Sequence, residues 1–467
     1  MARELLFILI SFIFFSKKKN KIPLLLFSFF LQASIVFAQH DTHHMQMKDT
    51  MKMSMDSMNM TSVFSNHLPM NRDGSGTSWQ PDQSPMMMYL KILGKDSSKM
   101  TSLIFHGNIF LRYTSQDITK QSKRGGEKFD APNWFMIVFS HKQHKNVFSF
   151  LSMFSLEQIT ESGSGYPLLF QSGETYNNIP LVDKQHPHDL FTELAINYTH
   201  SFTKNSDINV YFGYPGEPAL GSGVFMHRLS AINNPDAPLG HHWQDATHIT
   251  FGVGTIGFRY KKMKAEGSIF TGREPDENRY NFDKPTFDSY SYRISANPNS
   301  SFSLQFSQGF IKSPEVLNPN ESVIRSTASI IHTKLLKRDE FIASCLVFGQ
   351  NHVPKGKRLT SILLESNLKL APLTIYARYE FIQKDGEELN LLQLTSNPTF
   401  NIQAFTLGFN KILFTRFKTD LSLGIQGTIN FPDTNLKTFY GNNPFSAEIY
   451  LRIAPSAVGH HRKYKSN

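Results

Sequence analysis

The stretch HHMQMKDTMKMSMDSMNM, residues 43–60, sets seven methionines between Met45 and Met60 and offers no aromatic or branched apolar side chain to pack them against. Thioethers are soft, polarizable ligands that suit Cu(I) and Ag(I), while imidazole also accepts Cu(II). His40, His43, His44, Met45, Met47, Met51, Met53, Met55, Met58 and Met60 lie one to four residues apart, so a mobile chain can bring several donors to one ion. Copper is the expected bound ion. Compositional drift in a linker and methionine as an oxidation sink are the competing readings; this much sulfur in a tract with no core to fill favours capture of a soft metal.

Two other groups carry ligand chemistry. KQHPHDLF contains His186, His188 and Asp189 just before an expected strand, and alternate residues of an extended segment put both imidazoles on one side. Asp189 orienting His188 in a packed loop is the plainer reading. The connection GYPGEPALGSGVFMHRLSAINNPDAPLGHHWQDATH holds Glu217, Met226, His227, Arg228, Asp236, His241, His242, Trp243, Asp245 and His248. Its length and its Pro and Gly content suit a defined functional loop. FMHRLSA within it is expected to form one helical turn. His227, His241, His242 and His248 are candidate ligands, set against a structural plug held by arginine–carboxylate pairs. The next loop, GREPDENRYNFD, adds Arg273, Glu274, Asp276, Glu277 and Arg279 as a mixed charge cluster.

The elements that must position these residues alternate strictly. In LSLGIQGTINF, Leu421, Leu423, Ile425, Ile429 and Phe431 share one face and Ser422, Gly424, Gln426, Thr428 and Asn430 the other. LTIYARYEF and FSAEIYLRI repeat the pattern. About sixteen strands are expected, at 102–114, 132–141, 146–156, 191–202, 206–214, 248–260, 264–271, 287–296, 301–311, 324–334, 340–349, 358–369, 373–383, 400–411, 416–431 and 444–454. Tight turns such as KQHK, TKNS, KKM, NPNS and KLAP alternate with long connections at about 115–131, 157–190, 215–247, 272–286, 384–399 and 432–443. This is the layout of a transmembrane antiparallel β-barrel, whose closure removes the sheet edges that lipid cannot hydrogen-bond. An exported β-sandwich or propeller needs no such alternation of loop length.

Composition agrees with an all-β barrel. Charged residues are 18%, phenylalanine alone contributes 41 residues, and mean hydropathy is still −0.30. Residues 1–38 are expected to be a signal peptide with Lys17, Lys18, Lys19 and Lys21 as its basic region and cleavage after Ala38. The apolar run LLFILISFIFF upstream suggests a translation start nearer Lys17, or a membrane hairpin. Removing Arg3, these four lysines and Glu4 lowers the net charge from +10 to +6 and leaves no basic block for nucleic acid. Cys345 is the lone cysteine, which excludes internal disulfides and cysteine-based metal sites. Residues 39–84 are expected to be a disordered Met/His-rich leader and linker, and 85–467 the barrel. An even strand count puts both termini, and the leader, in the periplasm. The closing strand is followed by PSAVGHHRKYKSN where an aromatic end is usual for barrel insertion.

This layout of signal peptide, Met/His-rich leader and barrel resembles outer-membrane copper-resistance proteins, and the barrel texture is similar to that of barrel proteins of Bacteroidetes-type bacteria. The resemblance rests on residues 40–60 and on the architecture, not on matched barrel motifs. It implies a non-enzymatic outer-membrane protein that handles copper, with outer-membrane lipid, soft metal ions and periplasmic metal carriers or efflux components as partners. A general porin or solute channel with an incidental leader is the alternative, and an outer-membrane hydrolase a third reading. No GxSxG, HExxH or GxxxxGK[ST] stands in a supporting pattern.

Overall fold

The computed structural model describes residues 60–457 apart from 96–98, 317, 338–339, 355 and 395. The leader donors from His40 to Met58 lie outside the described residues. Twenty strands occur among the described residues. The first seven are β1 (Tyr89–Lys95), β2 (Lys99–Gln116), β3 (Gly126–Asp130), β4 (Asn133–Gln143), β5 (Asn146–Phe154), β6 (Tyr166–Tyr176) and β7 (Ile179–Gln185). Then come β8 (Phe191–Thr203), β9 (Ser206–Gly213), β10 (Val253–Tyr260), β11 (Met263–Phe270), β12 (Ser289–Ala296), β13 (Phe302–Ile311) and β14 (Val323–Lys337). The last six are β15 (Glu340–His352), β16 (Arg358–Leu370), β17 (Leu373–Asp385), β18 (Thr399–Arg416), β19 (Thr419–Phe431) and β20 (Phe445–Pro455).

Sixteen of these, β2, β4, β5 and β8 to β20, form a closed antiparallel barrel. Closure runs through β2, which pairs with β20 at Ile109↔Ile453 and with β4 at Asn108↔Trp134. Each expected strand has its counterpart in this wall. Two bounds differ. The strand expected from 248 starts at Val253, because 246–248 form a short helical turn. The strand expected at 416–431 contains a reversal at Phe417 and Lys418, both in the left-handed region (φ 51° and 60°), which the alternating pattern runs straight through.

The wall is inside out relative to a soluble sheet. Leu423, Ile425, Phe405, Leu407 and Ile449 stand 40–51% exposed, while their polar neighbours Ser422, Gln426, Thr406 and Glu448 are buried in the lumen. An apolar belt outside and hydrogen-bonding groups inside are what hydrocarbon demands of a spanning sheet.

Two segments fill the lumen. The connection between β9 and β10 folds inward and is tied to the wall on several sides. Arg228 reaches Glu365 at 2.8 Å, the Leu239 amide donates to Glu380 at 2.6 Å, and the Tyr450 hydroxyl donates to the Asn233 carbonyl at 2.6 Å. FMHRLSA opens with the expected single turn, a 3-10 turn at Phe225–His227. The second segment is residues 60–88. The expectation of disorder fails for residues 60–84, which are folded: Val63, Met70 and Trp79 are buried, and Arg72 grips Asp82 at 2.6 Å. Ser149 donates to the Val63 carbonyl at 2.6 Å, and Arg293 donates to Thr77 at 2.8 Å. The reason is chemical. A plug for a polar lumen must itself be polar, so Ser75, Thr77 and Ser78, read as linker composition, are buried contacts.

Candidate functional site

At the end of the barrel that carries the long connections, a cavity of about 450 Å³ is walled by carboxylates. Glu174, Glu274, Glu277, Glu315, Asp385 and Glu388 line it, and Lys357 is the cationic side chain among its described lining residues. Burial, reinforced by the neighbouring Glu388 and Glu274, pushes Glu315 well above the usual carboxylate range. Crowded like charge of this kind is relieved by a cation, and a cleft lined by one sign of charge concentrates ions of the other.

Beneath this vestibule five imidazoles form a closed circuit. Ring centroids are 6.3 Å apart for His186 and His188, 5.4 Å for His188 and His248, and 5.1 Å for His248 and His241. The circuit returns through His241 and His242 at 5.4 Å and His242 and His186 at 5.9 Å. His186 and His188 are delivered by the segment after the β6–β7 hairpin, which pairs as a separate two-stranded sheet. His241 and His242 sit on the short helix His241–Gln244, and His248 on the turn that follows. Gly173 in the hairpin lets His242 approach: a Cβ there would meet the imidazole at 2.6 Å, and φ is +131°.

Carboxylates and carbonyls fix one nitrogen of most rings. His188 Nδ1 lies 2.5 Å from Glu157, His241 Nδ1 2.5 Å from Asp245, and His248 Nδ1 3.0 Å from the Asp245 carbonyl. His186 Nε2 is 3.1 Å from Glu174. The Nε2 atoms of His188, His242 and His248 are buried without a hydrogen-bond partner. Burial holds His186 and His248 well below the usual 6.5 and His242 at about 4, so these rings are neutral at neutral pH, and His242 and His248 keep an unpartnered Nε2. Burial also lowers His241, against the pull of Asp245. At His188 burial works the same way, but the Glu157 carboxylate outweighs it and raises the ring. No trio of His, Cys, Asp or Glu side chains among the described residues is already arranged to hold a metal ion. The circuit is an open set of donors rather than a finished coordination sphere.

The structure thus brings together five of the six loop histidines and separates the sixth. His227 stands outside the circuit, stacked 4.6 Å from Trp134 and 5.5 Å from His106. Met60 is partly buried against the same core group as Met70 and Met226. Arg279 of the charge cluster pairs with Glu174 and with Asp189 at 3.3 Å, while Glu277 accepts from the Asn177 and Asn178 amides and so caps the β6–β7 hairpin. Glu157, which orients His188, was not foreseen; a carboxylate thirty-one residues from its histidine leaves no local spacing signal.

No family model matches the chain, and no curated protein matches it. Among solved structures, OmpF of Salmonella typhi in complex with daunomycin is 10% identical, covering 78% of this chain and 100% of its own, with a TM-score of 0.46. The outer membrane channel DcaP of Acinetobacter baumannii is 7% identical over 78% of this chain and 99% of its own, at 0.45. The anion-selective porin from Comamonas acidovorans is 9% identical over 76% and 99%, at 0.44.

Proposed function

We propose that this protein is an outer-membrane barrel that admits metal cations at its loop-end mouth and passes them to a plug made of its own chain. The observation that carries this reading is the continuity of the acidic vestibule with the imidazole circuit. Glu274 lines the vestibule and lies 3.8 Å from His242 Nδ1, and Glu174 lines it and lies 3.1 Å from His186 Nε2. Carboxylates attract the hydrated ion, and neutral imidazoles then offer nitrogen to a borderline transition metal. The open donor set suits transit, since an ion that is to move on must not be held by a closed sphere.

A general solute channel is the second reading, favoured by the closed sixteen-strand wall itself. Against it stand the buried ion pairs that lock the β9–β10 connection to that wall and the hydrogen bonds that hold residues 60–88 there. Copper as the cargo, with the leader gathering it in the periplasm, rests on the chemistry of Met45 to Met58.

Binding of Ni(II) or Zn(II) to the purified full chain tests the reading. Retention is expected to fall about tenfold in the double variant His242→Phe, His248→Phe. Equal retention by the variant removes the circuit from the proposal.

A further inference from the structure

The lumen holds a second cavity, of about 120 Å³, at the depth of the N-terminal segment. Six methionines line it, Met70, Met86, Met87, Met88, Met136 and Met226, with His106 and His227 beside them. The sulfurs come from separate parts of the chain: the first folded segment, the entry to β1, the wall strand β4, and the connection between β9 and β10. Methionine commonly fills irregular gaps in apolar cores. Gap filling closes space, however, and here the space stays open among the thioethers. His106 and His227, both half-buried, line the same space without a ring hydrogen bond to a described residue. Their centroids stand 5.5 Å apart. Two imidazoles sharing one tetrahedral metal, at bonds of about 2.0 Å, have centroids roughly 5 Å apart.

We propose that this cavity is a binding site for a soft monovalent metal ion, Cu(I) or Ag(I), held by thioethers and by His106 and His227. Sulfur selects the ion. Hard cations do not leave water for thioethers, whereas Cu(I) and Ag(I) bind them with imidazole as a supporting donor. Met60 packs against the same group of residues, so the Met-rich stretch that precedes it in sequence joins the barrel beside the cavity. The site uses none of the circuit's histidines and does not rest on cation entry at the loop end.

Ag(I) is the probe, being free of redox change, and the protein is the full chain with Met45, Met47, Met51, Met53, Met55, Met58 and Met60 changed to leucine. This form is expected to retain one Ag(I) per chain after desalting, with sulfur in the metal's X-ray absorption shell. Adding Met136→Leu and Met226→Leu keeps side-chain volume and removes sulfur; retention is expected to fall at least tenfold while heat-modifiable migration in gels shows the barrel still folded. Both forms are also measured in the His242→Phe, His248→Phe background, so that the loss caused by Met136→Leu and Met226→Leu is read without the loop-end circuit. Absence of Ag(I) from the leader-substituted chain overturns the proposal, as does retention unaffected by Met136→Leu and Met226→Leu.

Discussion

Arg112 Nη1 on the wall strand β2 lies 2.6 Å from Asp236 Oδ1 on the inward-folded connection, and both side chains are buried. The same guanidinium holds Asp130 of β3 at 2.7 Å, so one arginine joins wall and plug. Removing one partner of a buried pair costs about 3–5 kcal/mol when the other charge is left unpaired; Arg112 keeps Asp130, so the loss of Asp236 costs less than that and falls on the tie between wall and plug. Asp236→Ala is therefore expected to loosen the plug without opening the wall. In planar bilayers the variant should show larger and more frequent conductance steps than the wild type. Unchanged conductance would mean that the connection is held without this pair.

Gly173 is expected to be the most sensitive small residue of the loop end. Gly173→Ala drives a methyl group into His242 and forces an unfavourable backbone angle. A cost of about 1–3 kcal/mol is of the size seen for overpacking and strain. Ni(II) retention should fall severalfold, with gel migration of the folded barrel unchanged.

Glu217 gives a pH dependence of known sign. Burial, partly opposed by Arg293, pushes its carboxyl up to about 8, and its oxygen accepts from Ser75 of the N-terminal segment at 3.2 Å. A folded value above the unfolded one means that the folded plug binds the proton more tightly. This contribution is fully present below the unfolded value, near 4.5, and is lost as pH rises toward and through about 8. Glu217→Gln stays neutral at every pH. Relative to that variant, the wild-type plug should open more readily at pH 8.5 than at pH 5, read as open probability. Parallel pH profiles for the two proteins would contradict the assignment.

The wall was legible in the sequence because lipid and a polar lumen impose a period of two on nearly every strand. The apolar residues at 421, 423 and 425 and the polar residues between them stand where that period puts them. What escaped follows from chemistry rather than chance. Residues 60–84 read as a linker because a plug for a polar lumen has a linker's composition. β1 escaped because it is short and bulged between Ile92 and Gly94. The histidines at 186, 188, 241, 242 and 248 were each visible as possible ligands, but sequence spacing gave no sign that three separate turns close them into one circuit. His106 escaped because it occupies an inward position of a regular strand, where alternation accounts for it without chemistry.

The reversal potential of the purified full chain in a planar bilayer, under a tenfold salt gradient, tests the account most directly. A potential on the cation-selective side is expected, moving toward zero in Glu277→Gln, Glu388→Gln as two vestibule carboxylates lose their charge. An anion-selective potential, or a large unselective conductance from the wild type, would contradict a plugged barrel that admits cations through its acidic mouth.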